Sequence, residues 1–172
     1  MSHNIEKQKN KIIAHALTKI VPIDYGVYVS SDKLFITDFY KLEKKTGGIV
    51  IIVYSKGLYD EQKNQFTVIC VHRKLNSIVW CNTQGLVLNC QAYEVLCNLQ
   101  QNNKYFACTQ LRYKCENNEL LNNMAFMFYL VEMISNRSKF GEIPPDNDII
   151  ARYTSIIPRE FVQSVYSDMN PA

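Results

Sequence analysis

The sequence predicts an α+β fold: one domain spanning residues 1–172, with a central mixed or antiparallel sheet packed by helices. Three observations carry this. Ile5, Ile12, Ile13, Ala16, Leu17 and Ile20 recur at helical spacing near the start of the chain. Short runs rich in β-branched residues, Ile49–Tyr54 and Phe66–His72, have the length and composition of buried strands. Leu120–Ile134 is apolar for long enough to form a central helix.

The elements follow in order. The first helix covers 5–20, and Pro22 marks its stop. The segment DYGVYVSSDKLF reads as a loop. Thr46-Gly47-Gly48 is a turn into the first strand, Ile49–Tyr54, and the polar KGLYDEQKNQ is a loop after it. Phe66–His72 forms the second strand, Arg73–Asn76 a tight turn, and Ser77–Cys81 the third strand. A glycine loop leads to a short helix over Gln91–Leu99, then a strand over Lys104–Thr109 and the central helix. Pro144 and Pro145 interrupt the chain before a last helical stretch near Pro158–Tyr166, with SDMNPA as a frayed tail.

Composition excludes several function classes. With 47% apolar and 20% charged residues the chain is globular in character, and at 172 residues it buries roughly two thirds of its unfolded surface. The longest apolar run is too short to span a bilayer, and MSHNIEKQKNK lacks the apolar core of a secretory signal. The expected compartment is the cytoplasm, the nucleus or a virion interior, with no membrane association. Cys70, Cys81, Cys90, Cys97, Cys108 and Cys115 are scattered without a CxxC pair, so reduced thiols are expected and no metal or cofactor. A net charge of +3 spread over Lys7, Lys9, Lys11, Lys44, Lys45, Arg73 and Lys74 fits solvated faces, with weak nucleic-acid binding left open.

A set of collinear segments adds a resemblance. Gly26-Val27-Tyr28 with Asp32-Lys33-Leu34, the Thr46-Gly47-Gly48 turn, QFTVICVHRKLNSIVWCNTQGL, NNMAFMFYL and NRSKFGE follow one another over residues 24–142. In order and spacing they resemble adenovirus-type cysteine endopeptidases, of viruses or large DNA transposons, and their SUMO-protease relatives. The resemblance implies a papain-like fold with a core over 24–142 and a C-terminal segment over 143–172. It also implies that Phe66, Asn82 and Asn122 occupy the stations of the catalytic histidine, aspartate and cysteine.

That residue set cannot perform thiol catalysis. A phenyl ring moves no proton, and a carboxamide is not a nucleophile. Thr67 replaces the family tryptophan, Asn123 the glycine after the nucleophile, and Cys115 falls at the station of the oxyanion glutamine, with Gln110 the nearest glutamine upstream. The reading that follows is a catalytically inactive homologue, not an enzyme, kept as a protein-binding or virion-associated component. Phe66, Thr67, Trp80, Asn82, Asn122 and Asn123 are then candidates to line a peptide groove. Proteases of this type are packaged with capsid proteins and bind a peptide cofactor and DNA, so a capsid, virion or other protein partner is implied.

Two further readings stand beside it. One is an active thiol hydrolase with a rearranged site, in which Cys115, in a polar loop, pairs with a surface His72; His15 and His3 are weaker bases. The other is an unrelated α+β binding module in which positions 66, 82 and 122 do not meet. Asp60-Glu61 and Asp146 with Asp148 read as solvated loop acids, and Phe126, Phe128 and Tyr129 as core.

Overall fold

The computed structural model describes residues 2–30, 47–55, 65–85, 93–97, 99, 107–111, 115, 119–136 and 159–169. Five strands form one mixed sheet in the order β1-β2-β3-β4-β5: β1 Tyr25–Ser30, β2 Gly48–Ser55, β3 Gln65–His72, β4 Ser77–Asn82 and β5 Ala107–Gln110. β2, β3 and β4 are antiparallel neighbours, whereas β1 and β5 run parallel to β2 and β4 at the two edges. Among the described residues the helices are α1 (Ser2–Thr18), α2 (Leu120–Ser135) and α3 (Arg159–Met169), with a helical turn over 93–97.

The sheet is apolar on both faces because both are covered. Val50, Ile52, Phe66, Val68, Cys70, Val79 and Cys81 point to one side, where Ile13 and Leu17 of α1, most of α2, and Val162 and Val165 of α3 complete the core. Ile49, Ile51, Val53, Ile69, Val71, Ile78 and Trp80 point to the other, against Val95, Leu96 and Leu99. All eight residues of β3 are buried, which is why its sequence shows no alternation. Each fully buried Val or Ile adds about 1.5–3 kcal/mol of transfer free energy, so these two layers dominate the drive to fold.

The glycine turn is a point of close approach. A Cβ on Gly48 would collide with the Val71 carbonyl oxygen and lie 2.7 Å from Cε2 of Tyr25. The Tyr25 ring crosses this glycine pair, and its hydroxyl shares a 2.7 Å hydrogen bond with His72 Nδ1, linking β1 to β3 across β2. In the β3–β4 turn, Asn76 has φ 50°, a left-handed conformation that asparagine tolerates.

Three expectations are corrected. Residues 25–30 are a strand and not a loop, because the β2 backbone supplies the partners that their sequence does not advertise. The first helix ends at Thr18 and closes with bonds from Lys19 and Ile20 back to Ala16 and Leu17. The last helix continues through SDM to Met169, whose side chain is buried in the helix-side core, so these residues are not frayed. Asp32–Leu34, Lys44, Lys45, Asp60, Glu61, Cys90, Pro144 to Asp148 and residues 170–172 lie outside the described residues.

Candidate functional site: an amide cluster linking the sheet to the central helix

The pairing Thr67↔Asn82 at the ends of β3 and β4 decides which side chains meet. Directly paired residues share a face, as do those two positions along one strand. Asn82 Nδ2 accordingly donates to Gln65 Oε1 at 2.9 Å and to Thr67 Oγ1 at 3.1 Å. The chain turns just after Asn82: Gly85 N–H donates to the Asn82 carbonyl at 2.9 Å, with Gly85 at φ 68°. The Gln84 N–H donates to Asn82 Oδ1 at 2.8 Å, and the Gln84 side-chain amide donates to Asn123 Oδ1.

Asn123 lies in the first turn of α2. Its backbone N–H and its Nδ2 both donate to the Glu119 carbonyl at 3.0 Å. The result is a continuous chain from Gln65 through Asn82 and Gln84 to Asn123, tying the sheet to the N-terminus of the central helix. Gln65, Thr67, Asn82 and Asn123 are 7%, 1%, 2% and 0% exposed, so their mutual hydrogen bonds offset a desolvation that would otherwise be costly. Every side chain in this chain is an amide or a hydroxyl, none of which titrates near neutral pH.

The structure divides the residues singled out from the sequence. Asn82, Thr67 and Asn123 belong to the cluster. Phe66 does not: its ring points to the helix-side core, fully buried, 4.9 Å between centroids from Tyr54. Its backbone instead holds Thr83, donating to Thr83 Oγ1 at 3.0 Å and accepting from Thr83 N–H at 2.9 Å. Trp80 faces the opposite core, so Phe66 and Trp80 cannot line one groove. Asn122 is partly exposed and turns back to Glu119, whose Oε2 accepts from its Nδ2 at 3.2 Å. The residues that sequence reasoning passed over are Gln65 and Gln84. Polar side chains at 65 and 67, two apart in an apolar strand, were the available signal for a polar face.

The alternative thiol site is also corrected. Cys115 is buried in the helix-side core rather than exposed in a loop, and its N–H donates to the Thr83 carbonyl at 2.6 Å. His72 is 2% exposed and sits at the far end of β3. Thr83 is bound to Phe66, and six residues of strand separate Phe66 from His72, about 20 Å. Cys115 and His72 therefore form no dyad. None of the described cysteines is in a disulfide, Cys108 is exposed and Cys97 half-buried, while burial pushes the Cys70 thiol pKa far up. Among the described residues no group of histidine, cysteine and carboxylate side chains could hold a metal ion, and no helix is long and apolar enough to cross a membrane.

No protein-family model and no curated protein matches the chain. Solved structures do. The SUMO protease Ulp1 with its catalytic cysteine oxidised to a sulfenic acid superposes with a TM-score of 0.52 at 12% identity, over 93% of this chain and 76% of that one. Its sulfinic acid form gives 0.51 at 13% identity, over 93% and 77%. The Legionella pneumophila effector RavZ gives 0.47 at 12% identity, and this chain spans 63% of its length. The fold is thus α+β, a mixed five-stranded sheet packed by helices, in the manner of the papain-like SUMO protease Ulp1.

Proposed function

We propose that this chain is a catalytically inactive relative of cysteine endopeptidases of the adenovirus and SUMO-protease type, retained to bind a protein partner. The observation that carries the reading is the amide cluster at the junction of β3, β4 and the α2 N-terminus. On this reading Gln65, Asn82 and Asn123 stand for histidine, aspartate and cysteine, one position before Phe66 and one after Asn122. A thiolate at a helix N-terminus is favoured by the helix dipole and a neighbouring imidazolium. Asn123 offers neither a thiol nor a charge, and Gln65 cannot act as a base. The remaining role is recognition, with an extended peptide, a SUMO-type modifier, or a capsid or virion protein as the partners to test first.

The test is a turnover assay with fluorogenic SUMO and peptide substrates, run beside labelling by a SUMO-linked electrophile. The expected result is no turnover and no adduct, with Cys115→Ser indistinguishable from the parent chain. A stoichiometric adduct abolished by one Cys→Ser substitution would overturn the proposal.

A further inference from the structure

A groove of about 390 Å³ runs between α1 and α3, in the size range of ligand sites. Ile12, Ala16, Phe161 and Val165 form its floor, and Phe161 is held from beneath by Phe128, 5.8 Å between ring centroids. One rim carries Lys11 and His15 of α1 and Lys19 in the turn that closes it, all exposed. The α3 rim carries Ser164 and Asp168, also exposed. Near the Lys19 end, Asn136 Nδ2 donates to the Ile20 carbonyl, so this end lies by the C-terminus of α2. The amide cluster is at the other end of that helix, about 20 Å away.

We infer that this groove docks an amphipathic acidic helix of a protein partner. Lys11, His15 and Lys19 recur every four residues, hence about every 6 Å over about 12 Å. A helix laid alongside carries Asp or Glu at the same four-residue interval, so one acidic flank meets the whole ladder. A single anionic group meets only one rung. The apolar floor accepts the apolar side chains such a helix shows at i and i+4. Asp168 on the opposite rim selects a Lys or Arg on the partner's other flank. The same carboxylate opposes a phosphodiester chain, and the floor offers only Phe161 as a stacking surface, which disfavours nucleic acid. The groove shares no residue with the amide cluster, so this inference does not depend on the proposed loss of catalysis.

The experiment is selection from a display library of amphipathic helices, with fixed apolar positions and randomised flanks, on the full chain. Enriched peptides are then measured by fluorescence anisotropy. The expected consensus has acids at four-residue spacing, and Lys11→Glu with Lys19→Glu weakens binding at least tenfold. Both side chains are exposed, so circular dichroism should confirm an unchanged fold. A consensus without acids, or binding indifferent to the double reversal, overturns the inference. So does preferential displacement of the peptide by a single-stranded oligonucleotide, or a self-association that the same reversal abolishes, which would give the groove to nucleic acid or to a second copy.

Discussion

Replacing Asn82 by alanine tests whether the amide cluster holds the sheet to the central helix. The substitution removes two bonds donated by Nδ2, to Gln65 and Thr67, and one accepted by Oδ1 from the Gln84 backbone. At about 0.5–1.5 kcal/mol each, the three amount to roughly 1.5–4.5 kcal/mol. The Thr67 hydroxyl can rotate to a new partner, and water entering the space can satisfy Gln84 N–H, which trims the upper end. The expected loss is therefore about 1.5–3.5 kcal/mol, and for a 172-residue chain a fall in Tm of roughly 3–14 °C. Urea unfolding followed by circular dichroism measures the first and calorimetry the second. A cycle with Gln65→Ala should give a coupling of at least about 0.5 kcal/mol, because the two side chains share a bond. A single-mutant loss below about 0.5 kcal/mol, or strict additivity in the cycle, would mean that the cluster does not bear on stability.

Other outcomes follow from the same geometry. Phe66→Ala should cost about 3–5 kcal/mol by denaturant unfolding, since the ring is fully buried against Tyr54 and α2; a smaller loss would place it outside the core. Gly48→Ala should cost about 1–3 kcal/mol, because its Cβ meets the Val71 carbonyl and the Tyr25 ring; an unchanged unfolding midpoint would contradict the close approach. In the native protein a thiol reagent should modify Cys108 readily, and Cys70, Cys81 and Cys115 only at the rate of unfolding, as peptide mapping would reveal. Burial raises the folded-state pKa of the Cys70 thiol and, with Cys70 and Asp24 nearby, of the Tyr25 hydroxyl. Both hold their protons more tightly folded than unfolded, so their contribution is complete at neutral pH. It declines as the unfolded-state thiol ionises above about pH 8.5 and the phenol above about pH 10. Cys70→Ala should flatten the thiol part of that decline in denaturation curves taken across the alkaline range.

What was legible in the sequence was the order and type of most elements. Helical recurrence marked α1, a long apolar run marked α2, and β-branched runs marked β2 and β3, because those periodicities and lengths are properties of the local chain. The edge strand β1 was not legible, since its pairing partner lies more than twenty residues away at Gly48–Val53. Nor was the end of α3, whose last turn is secured by burying Met169 in the core.

The site shows the same division more sharply. That polar side chains stand near the start of β3, the end of β4 and the start of α2 is written in the sequence. Which of two neighbours faces the cluster is not. In QFTVICVH both faces are buried, so the polar pair at 65 and 67 is the one local hint that separates Gln65 from Phe66, and a shift of one residue turns every side chain to the other face. Cross-strand pairing of Thr67 with Asn82 settles it in favour of Gln65. Asn122 and Asn123 are chemically identical and only about 100° apart around the helix, and packing alone turns Asn123 inward while leaving Asn122 partly in solvent. Residue type is local, but facing is decided by the partner strand and the packed helix, and those exist only in the folded chain.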